Sequence, residues 1–209
     1  NKLVLKTTEL TGILGKEEMK KLSLEIGEDK WKIYREKYDL ASNLRILDFP
    51  IQLDFELNSS CNLRCPMCPI SAESPKGKGK KTWFDFKYYK EILDYSVKKG
   101  TKAIKLNYIN EPLIRNDFIK FIDYAKKIGI LDIYFSTNGI LLNKKTSTEL
   151  IKSGLTRIQI SIDAITKDTY DKVRPGGNYD KIIKNIEEFL SIKKDLNVQL
   201  PLVRVNFVK

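Results

Sequence analysis

The stretch Lys144-Lys-Thr-Ser-Thr-Glu-Leu-Ile-Lys-Ser-Gly-Leu-Thr-Arg-Ile-Gln-Ile-Ser-Ile-Asp163 holds one complete structural unit. Residues 144–152 read as a helix that stops at Gly154, a residue free to take the left-handed turn that closes helices. Residues 156–162 then read as a strand, with Ile158, Ile160 and Ile162 on one face and Gln159 and Ser161 on the other. The same unit recurs along the chain. Helices predicted over about 85–98 and 116–127 end at Gly100 and Gly129, and strands over 51–57, 102–109 and 131–136 alternate with them. Two helical pieces, 167–173 and 179–194, are split by Pro175-Gly176-Gly177 and lead to a last β run at 198–208. This βαβα order predicts an α/β fold built on a parallel sheet with right-handed crossovers, open or curled into a barrel.

Parallel strands covered on both faces read as continuous apolar runs, and these do not. Leu53, Phe55 and Leu57 alternate with Asp54 and Glu56, Ile104, Leu106 and Tyr108 with Lys105 and Asn107, and Val203, Val205 and Phe207 with Arg204 and Asn206. One face is built to pack helices. The other is polar, either a lumen for a polar ligand and water or the solvated side of an open sheet. Glu56, Lys105, Asn107, Gln159 and Asn206 are the candidates to line it.

With 209 residues, 42% of them hydrophobic, the chain suits one main domain. Residues 1–48 are expected to form a helical N-terminal extension, in which Trp31, Tyr34 and Tyr38 recur at helical spacing as a docking face. Pro50 marks the entry to the main domain, 49–209. No apolar run reaches the roughly 18 residues a membrane helix needs, and no signal peptide opens the chain, so secretion is not expected. The chain starts on Asn1 rather than Met, and we expect it to be part of a longer protein. The complete lack of His excludes Ser-His and Cys-His nucleophile pairs and every His-ligated metal site. The net charge of +11 and the run Lys76, Lys78, Lys80, Lys81 fit an anionic partner or a solvated basic surface. Specific nucleic-acid binding is not expected.

The chemistry concentrates in Cys61-Asn-Leu-Arg-Cys65-Pro-Met-Cys68, just after the first strand. These are the chain's 3 cysteines, an odd number in one loop, which is no disulfide framework. Soft thiolates select iron–sulfur clusters, zinc or copper. A closed zinc site wants four ligands, so it would need a partner to complete it. A [4Fe-4S] cluster on three cysteines instead keeps one iron open for a ligand.

This spacing resembles the signature of the radical S-adenosylmethionine (radical SAM) superfamily, and further elements stand in that family's order. Asn110-Glu111-Pro112 follows the second strand where the family often has Gly-Gly-Glu-Pro. Thr137-Asn138-Gly139 follows the third, Ser161-Ile162-Asp163 ends the fourth, and Arg174 follows in Tyr170-Asp-Lys-Val-Arg174-Pro. The resemblance implies a partial (β/α)6 TIM-like barrel, here cut after about the fifth strand. It implies Cys61, Cys65 and Cys68 as cluster ligands, with SAM chelating the open iron. Glu111 would accept from the SAM ammonium and the backbone at Asn110 would donate to the methionine part. Ser161 and Arg174 would hold ribose or carboxylate, and Met67 would meet the adenine. Asn138 would reach SAM or substrate, and Asp163 is counted among the cofactor-binding residues.

The implied activity is that of an oxidoreductase. An electron from a donor such as flavodoxin or ferredoxin drives cleavage of SAM to a 5′-deoxyadenosyl radical, which abstracts hydrogen from an organic substrate, a peptide side chain or sugar for example. The run 161–177 looks most like the branch with a C-terminal SPASM or twitch domain, but no Cys follows Cys68. An absent auxiliary-cluster domain is therefore expected. A radical SAM enzyme acting on RNA and a zinc-binding interaction module are the alternative readings.

Overall fold

The computed structural model describes residues 15–73 and 81–207; Lys76, Lys78 and Lys80 lie outside them. Five strands, β1 (Gln52–Asp54), β2 (Ala103–Lys105), β3 (Asp132–Thr137), β4 (Arg157–Ser161) and β5 (Leu202–Asn206), form one sheet in the order β1-β2-β3-β4-β5. Every pairing is parallel. A parallel neighbour needs a crossover, and helices supply each one. They are α3 (Pro69–Glu73) and α4 (Phe86–Lys99) after β1, α5 (Phe118–Lys127) after β2, α6 (Lys144–Lys152) after β3, and α7 (Lys167–Val173) with α8 (Tyr179–Asp195) after β4. Winding in a single direction around one sheet is how a partial TIM-like barrel grows.

Local chemistry sets the helix ends. Asp85, Asn143, Thr166 and Asn178 each accept a backbone N–H of the first turn of α4, α6, α7 and α8. Gly100 closes α4 at φ +113, where a Cβ would be strained. Gly139 is under a tighter constraint. It sits at φ +74, and a Cβ there would meet Ile182 Cγ1 at 2.9 Å and Ile160 Cγ2 at 3.0 Å.

The alternation in the sequence becomes two faces. Ile104, Ile133, Phe135, Ile158 and Ile160 are buried with Tyr89 and Leu93 of α4, Phe121 and Ile122 of α5, Leu150 of α6 and Ile182, Ile186 and Phe189 of α8. Facing the other way, Gln52 donates to Asp54 Oδ1 (2.8 Å) and to the Tyr134 hydroxyl (3.0 Å), and Ser136 Oγ lies 2.9 Å from Gln159 Oε1. Lys105, Gln159, Arg204 and Asn206 stay half-buried there. Asn107 does not line this face openly as expected. It is 2% exposed, and its Oδ1 accepts the Ser136 N–H at 2.8 Å.

Two N-terminal helices, α1 (Lys16–Ile26) and α2 (Glu28–Ser42), pack across the amino ends of the strands. Leu22, Trp31 and Tyr34 are buried against Ile51 and Ala103, with Leu131, Leu200 and Leu202 around them. Tyr34 also donates to Asp132 Oδ2 (3.1 Å). Asp132 is fully buried and takes both arms of Arg157, at 2.9 and 2.6 Å, while the guanidinium lies 3.8 Å from the Tyr134 ring centre. Arg204 of β5 reaches Glu18 of α1 at 2.8 Å.

The strands are shorter than predicted. Phe55 N–H still donates to the Lys105 carbonyl (2.8 Å) and Leu106 N–H to the Tyr134 carbonyl (2.9 Å). Beyond them the Leu57 carbonyl accepts from Phe84 N–H (3.0 Å), and the N–H groups of Tyr108, Ile109 and Asn110 turn to Glu56. Tyr108, placed by alternation on the apolar face, is 72% exposed.

Removing the carboxylate with Asp132→Asn leaves Arg157 buried without its counter-charge and is expected to cost about 3–5 kcal/mol of unfolding free energy in urea titrations. Tyr34→Phe, which deletes one hydrogen bond and keeps the packing, is expected to cost about 1 kcal/mol in the same assay.

Candidate active site

Because all five strands run parallel, the segments that leave β1, β2, β3 and β4 emerge along one edge, and hydrogen bonds tie them into one mouth. Glu111 N–H donates to the Ser60 carbonyl (3.0 Å), and Asn110 Nδ2 donates to the Asn58 carbonyl (2.6 Å). Asn58 Nδ2 returns a bond to the Glu111 carbonyl at 3.3 Å. Asn138, after β3, donates to Asn62 Oδ1 at 2.8 Å, inside the cysteine loop. Arg64 N–H donates to the Pro175 carbonyl (3.2 Å), joining the same loop to the segment after α7.

All three cysteines are free thiols, Cys65 buried and Cys61 and Cys68 half-buried. The sulfurs of Cys61 and Cys65 face donors. Leu63 N–H lies 3.4 Å and Asn138 Nδ2 3.8 Å from Cys61 Sγ, and Arg174 Nη1 lies 4.0 Å from Cys65 Sγ. Burial pushes the Cys61 and Cys65 thiols above the ordinary cysteine range, and these two neighbours, the Leu63 amide for Cys61 and the Arg174 guanidinium for Cys65, pull back. Arg64 spans the loop from within, its Nη1 at 2.7 Å from the carbonyls of Cys61 and Leu63. Among the described residues, no three Cys, Asp or Glu side chains gather closely enough to hold a single ion. An iron–sulfur cube binds each thiolate to a different iron and so asks for separated sulfurs. Three free thiols on one rigid loop, two of them facing N–H donors, fit that group.

Glu111 and Asn110 are both bonded within the chain. Glu111 is 1% exposed, and its carboxylate is spoken for by its own chain. Oε1 accepts from Thr137 Oγ1 (2.8 Å) and Leu113 N–H (3.1 Å), and Oε2 accepts from Asn138 N–H (2.7 Å). Asn110 N–H, expected to donate to a ligand, donates to Glu56 Oε1 at 3.0 Å. Asn110 Oδ1 is buried without a partner, which costs about 1–3 kcal/mol. Glu56 therefore braces a loop instead of lining the lumen.

Arg174 is paired within the chain as well. Its planar fork, expected to take a ligand carboxylate, is closed on the Asp163 carboxylate, with both side chains largely buried. Asp163 holds the left-handed conformation at φ +57, at the turn leaving β4. Ser161 is half-buried at the carboxyl end of β4, in register with Asn206. Met67 is 59% exposed on the loop between Cys65 and Cys68. The mouth thus brings together Asn110, Glu111 and Asn138 with the cysteines, and sets Asp163 and Arg174 beside Cys65. Asn58, Ser60, Asn62, Arg64 and Thr137 complete it and are not singled out by sequence reasoning. The positions of Asn62 and Arg64 inside the cysteine motif are the one signal for them.

A loop of three free cysteines thus stands at the carboxyl edge of a parallel (β/α) sheet, the end at which the sites of this fold class sit. The chain belongs to the radical SAM superfamily, whose sequence profile matches residues 55–205; that family's cofactors are a [4Fe-4S] cluster and SAM. Among curated relatives, the GTP 3′,8-cyclase of Clostridium botulinum (strain Hall) is 37% identical over 145 residues, 67% of this chain and 43% of that protein. The mycofactocin maturase MftC of Mycobacterium tuberculosis is 30% identical over 147 residues, 68% of this chain and 35% of that one. The chain thus spans less than half the length of these relatives. In fold it resembles Streptococcus suis SuiB bound to S-adenosylmethionine, with a TM-score of 0.62 and 19% identity over 86% of this chain and 38% of SuiB.

Burial holds the Glu111 carboxyl up at about 7, against an ordinary 4.5, while the amide of Asn138 and the hydroxyl of Thr137 pull it down. The folded protein therefore binds this proton more tightly than the unfolded chain. The associated stability is full below the ordinary value and is lost as pH rises toward 7. The stability of the parent minus that of Glu111→Gln is expected to fall between pH 4.5 and pH 7 in urea titrations, and a flat difference would contradict the buried carboxyl.

Proposed function

We propose that this chain is the core of a radical SAM enzyme in which Cys61, Cys65 and Cys68 hold a [4Fe-4S] cluster and SAM is bound at the adjoining mouth. The observation that supports this most directly is the set of donors turned on the sulfurs, Leu63 N–H and the Asn138 amide at Cys61 and Arg174 at Cys65. Donors to sulfur stabilise thiolates, the form that binds iron. When bound, the cluster and SAM would supply a one-electron reduction and a 5′-deoxyadenosyl radical able to take hydrogen from an unactivated carbon.

The chain's own residues bind, orient and exclude water. Asn138 and Arg174 hold the sulfurs, and Asp163 fixes Arg174. Glu111 ties the turn at 137–139 to the segment after β2. Ser161 and Met67 stand at the rim, where a ribose hydroxyl and an adenine are the ligand groups they suit. Lys105, Gln159 and Asn206 offer a polar wall to the substrate. The relatives are named for a nucleotide cyclase and a mycofactocin maturase, so we assign the substrate only as a polar organic molecule, a peptide side chain or sugar among the candidates. A soluble electron donor such as flavodoxin or ferredoxin and a cytoplasmic setting complete the reading. Among the described residues no helix is long and apolar enough to cross a membrane.

Reconstituted anaerobically with iron and sulfide, the protein is expected to bind about four irons per chain. It is also expected to give a reduced-cluster EPR signal that changes on adding SAM, and to release 5′-deoxyadenosine. Ala at any one of Cys61, Cys65 or Cys68 should abolish the signal. Tight binding of one zinc with no iron–sulfur signal would replace this reading with that of a zinc module.

A further inference from the structure

Glu56 occupies an unusual position for a carboxylate on the polar face of a barrel. Its Oε2 accepts the N–H groups of Tyr108 (2.8 Å) and Ile109 (3.0 Å), and its Oε1 accepts that of Asn110 (3.0 Å). Three successive backbone donors thus converge on one side chain from the first strand segment, more than fifty residues earlier. Consecutive N–H groups turned to one side form a nest that favours an anion, and here the chain supplies its own. The next residue, Glu111, takes the backbone N–H of Asn138, whose side chain faces Cys61. The segment 108–111 therefore has Glu56 on one side and the cysteine loop on the other.

We propose that Glu56 is a positioning residue for the SAM site. By collecting the three N–H groups it fixes the path of 108–110, and through it the placement of Glu111 and Asn138 beside the cysteines. This deepens the reading given above and rests on it. The sequence offers a reason for such a brace. Ile109 and Asn110 are non-glycine residues, which reach fewer backbone conformations than glycine does. A fixed carboxylate selects one of them. Glu56 is accordingly unavailable as a lumen acid or base while it holds this loop.

The test compares the parent chain with Glu56→Gln and Glu56→Asp, each reconstituted anaerobically and checked for iron content. Gln keeps the shape but loses the second acceptor oxygen, and Asp keeps the charge but shortens the reach. Amide hydrogen exchange of peptides covering 108–110, read on the cofactor-free proteins, is expected to speed up about tenfold in Glu56→Gln, because a bond to a charged acceptor is lost. The SAM dissociation constant, from equilibrium dialysis of the loaded proteins, is expected to rise about tenfold at unchanged iron content, with Asp between parent and Gln. If Gln does not fold, the Asp variant is read by the same two measurements. Unchanged exchange at 108–110, or a dissociation constant within about twofold of the parent, overturns the proposal while the radical SAM reading stands. A parent that loads iron and sulfide but binds no SAM overturns both.

Discussion

The mouth of this barrel depends on short polar side chains satisfying the backbone of neighbouring loops. A parallel sheet sends every crossover out along the same edge, and each departing segment leaves N–H and C=O groups that no strand partner can take. Asn58, Asn107, Asn110, Glu56 and Glu111 take them, each bonded to a main chain other than its own neighbours'. The cysteine loop has no regular structure until α3 and is held instead by Asn138 at Asn62, by the Pro175 carbonyl at Arg64 N–H and by the Arg64 guanidinium on the carbonyls of Cys61 and Leu63. The radical SAM family resemblance and the physical account meet at this point. A short polar motif at each of these strand ends is what such mutual bonding requires.

Much of the frame was legible in the sequence. Helices α6 and α7 begin and end where capping residues and a following glycine or proline place them, and the parallel order follows from strict strand–helix alternation. The polar face was legible too, because alternation in a parallel strand is exceptional and Gln159, Lys105 and Arg204 mark it plainly. The strand ends were not. Leu57 reads as strand by type, yet its carbonyl accepts from Phe84 in the segment before α4 and not from β2.

The site was legible as a set of residues and less so as a set of bonds. The three cysteines and Asn138 lie on the segments that leave β1 and β3, and Asn138 reaches Cys61 across them. What Glu111, Asp163 and Arg174 bind could not be read, because a carboxylate or guanidinium pairs with whatever the fold brings near. Arg174 has Asp163 within reach across the end of β4, and a charged pair so deeply buried leaves neither member alone. Glu56 shows the same lesson in reverse. Alternation assigns its face correctly, but only the curl of the segment after β2 reveals that three amides wait there.

The two N-terminal helices have a consequence for the far end of the sheet. With Trp31 and Tyr34 seated on the amino ends of the strands and Tyr34, Asp132 and Arg157 locked together, the floor of the vessel is stoppered. The cysteine loop stands at the opposite end of the same sheet, so a substitution in the stopper would be felt at the sulfurs only through the length of the strands.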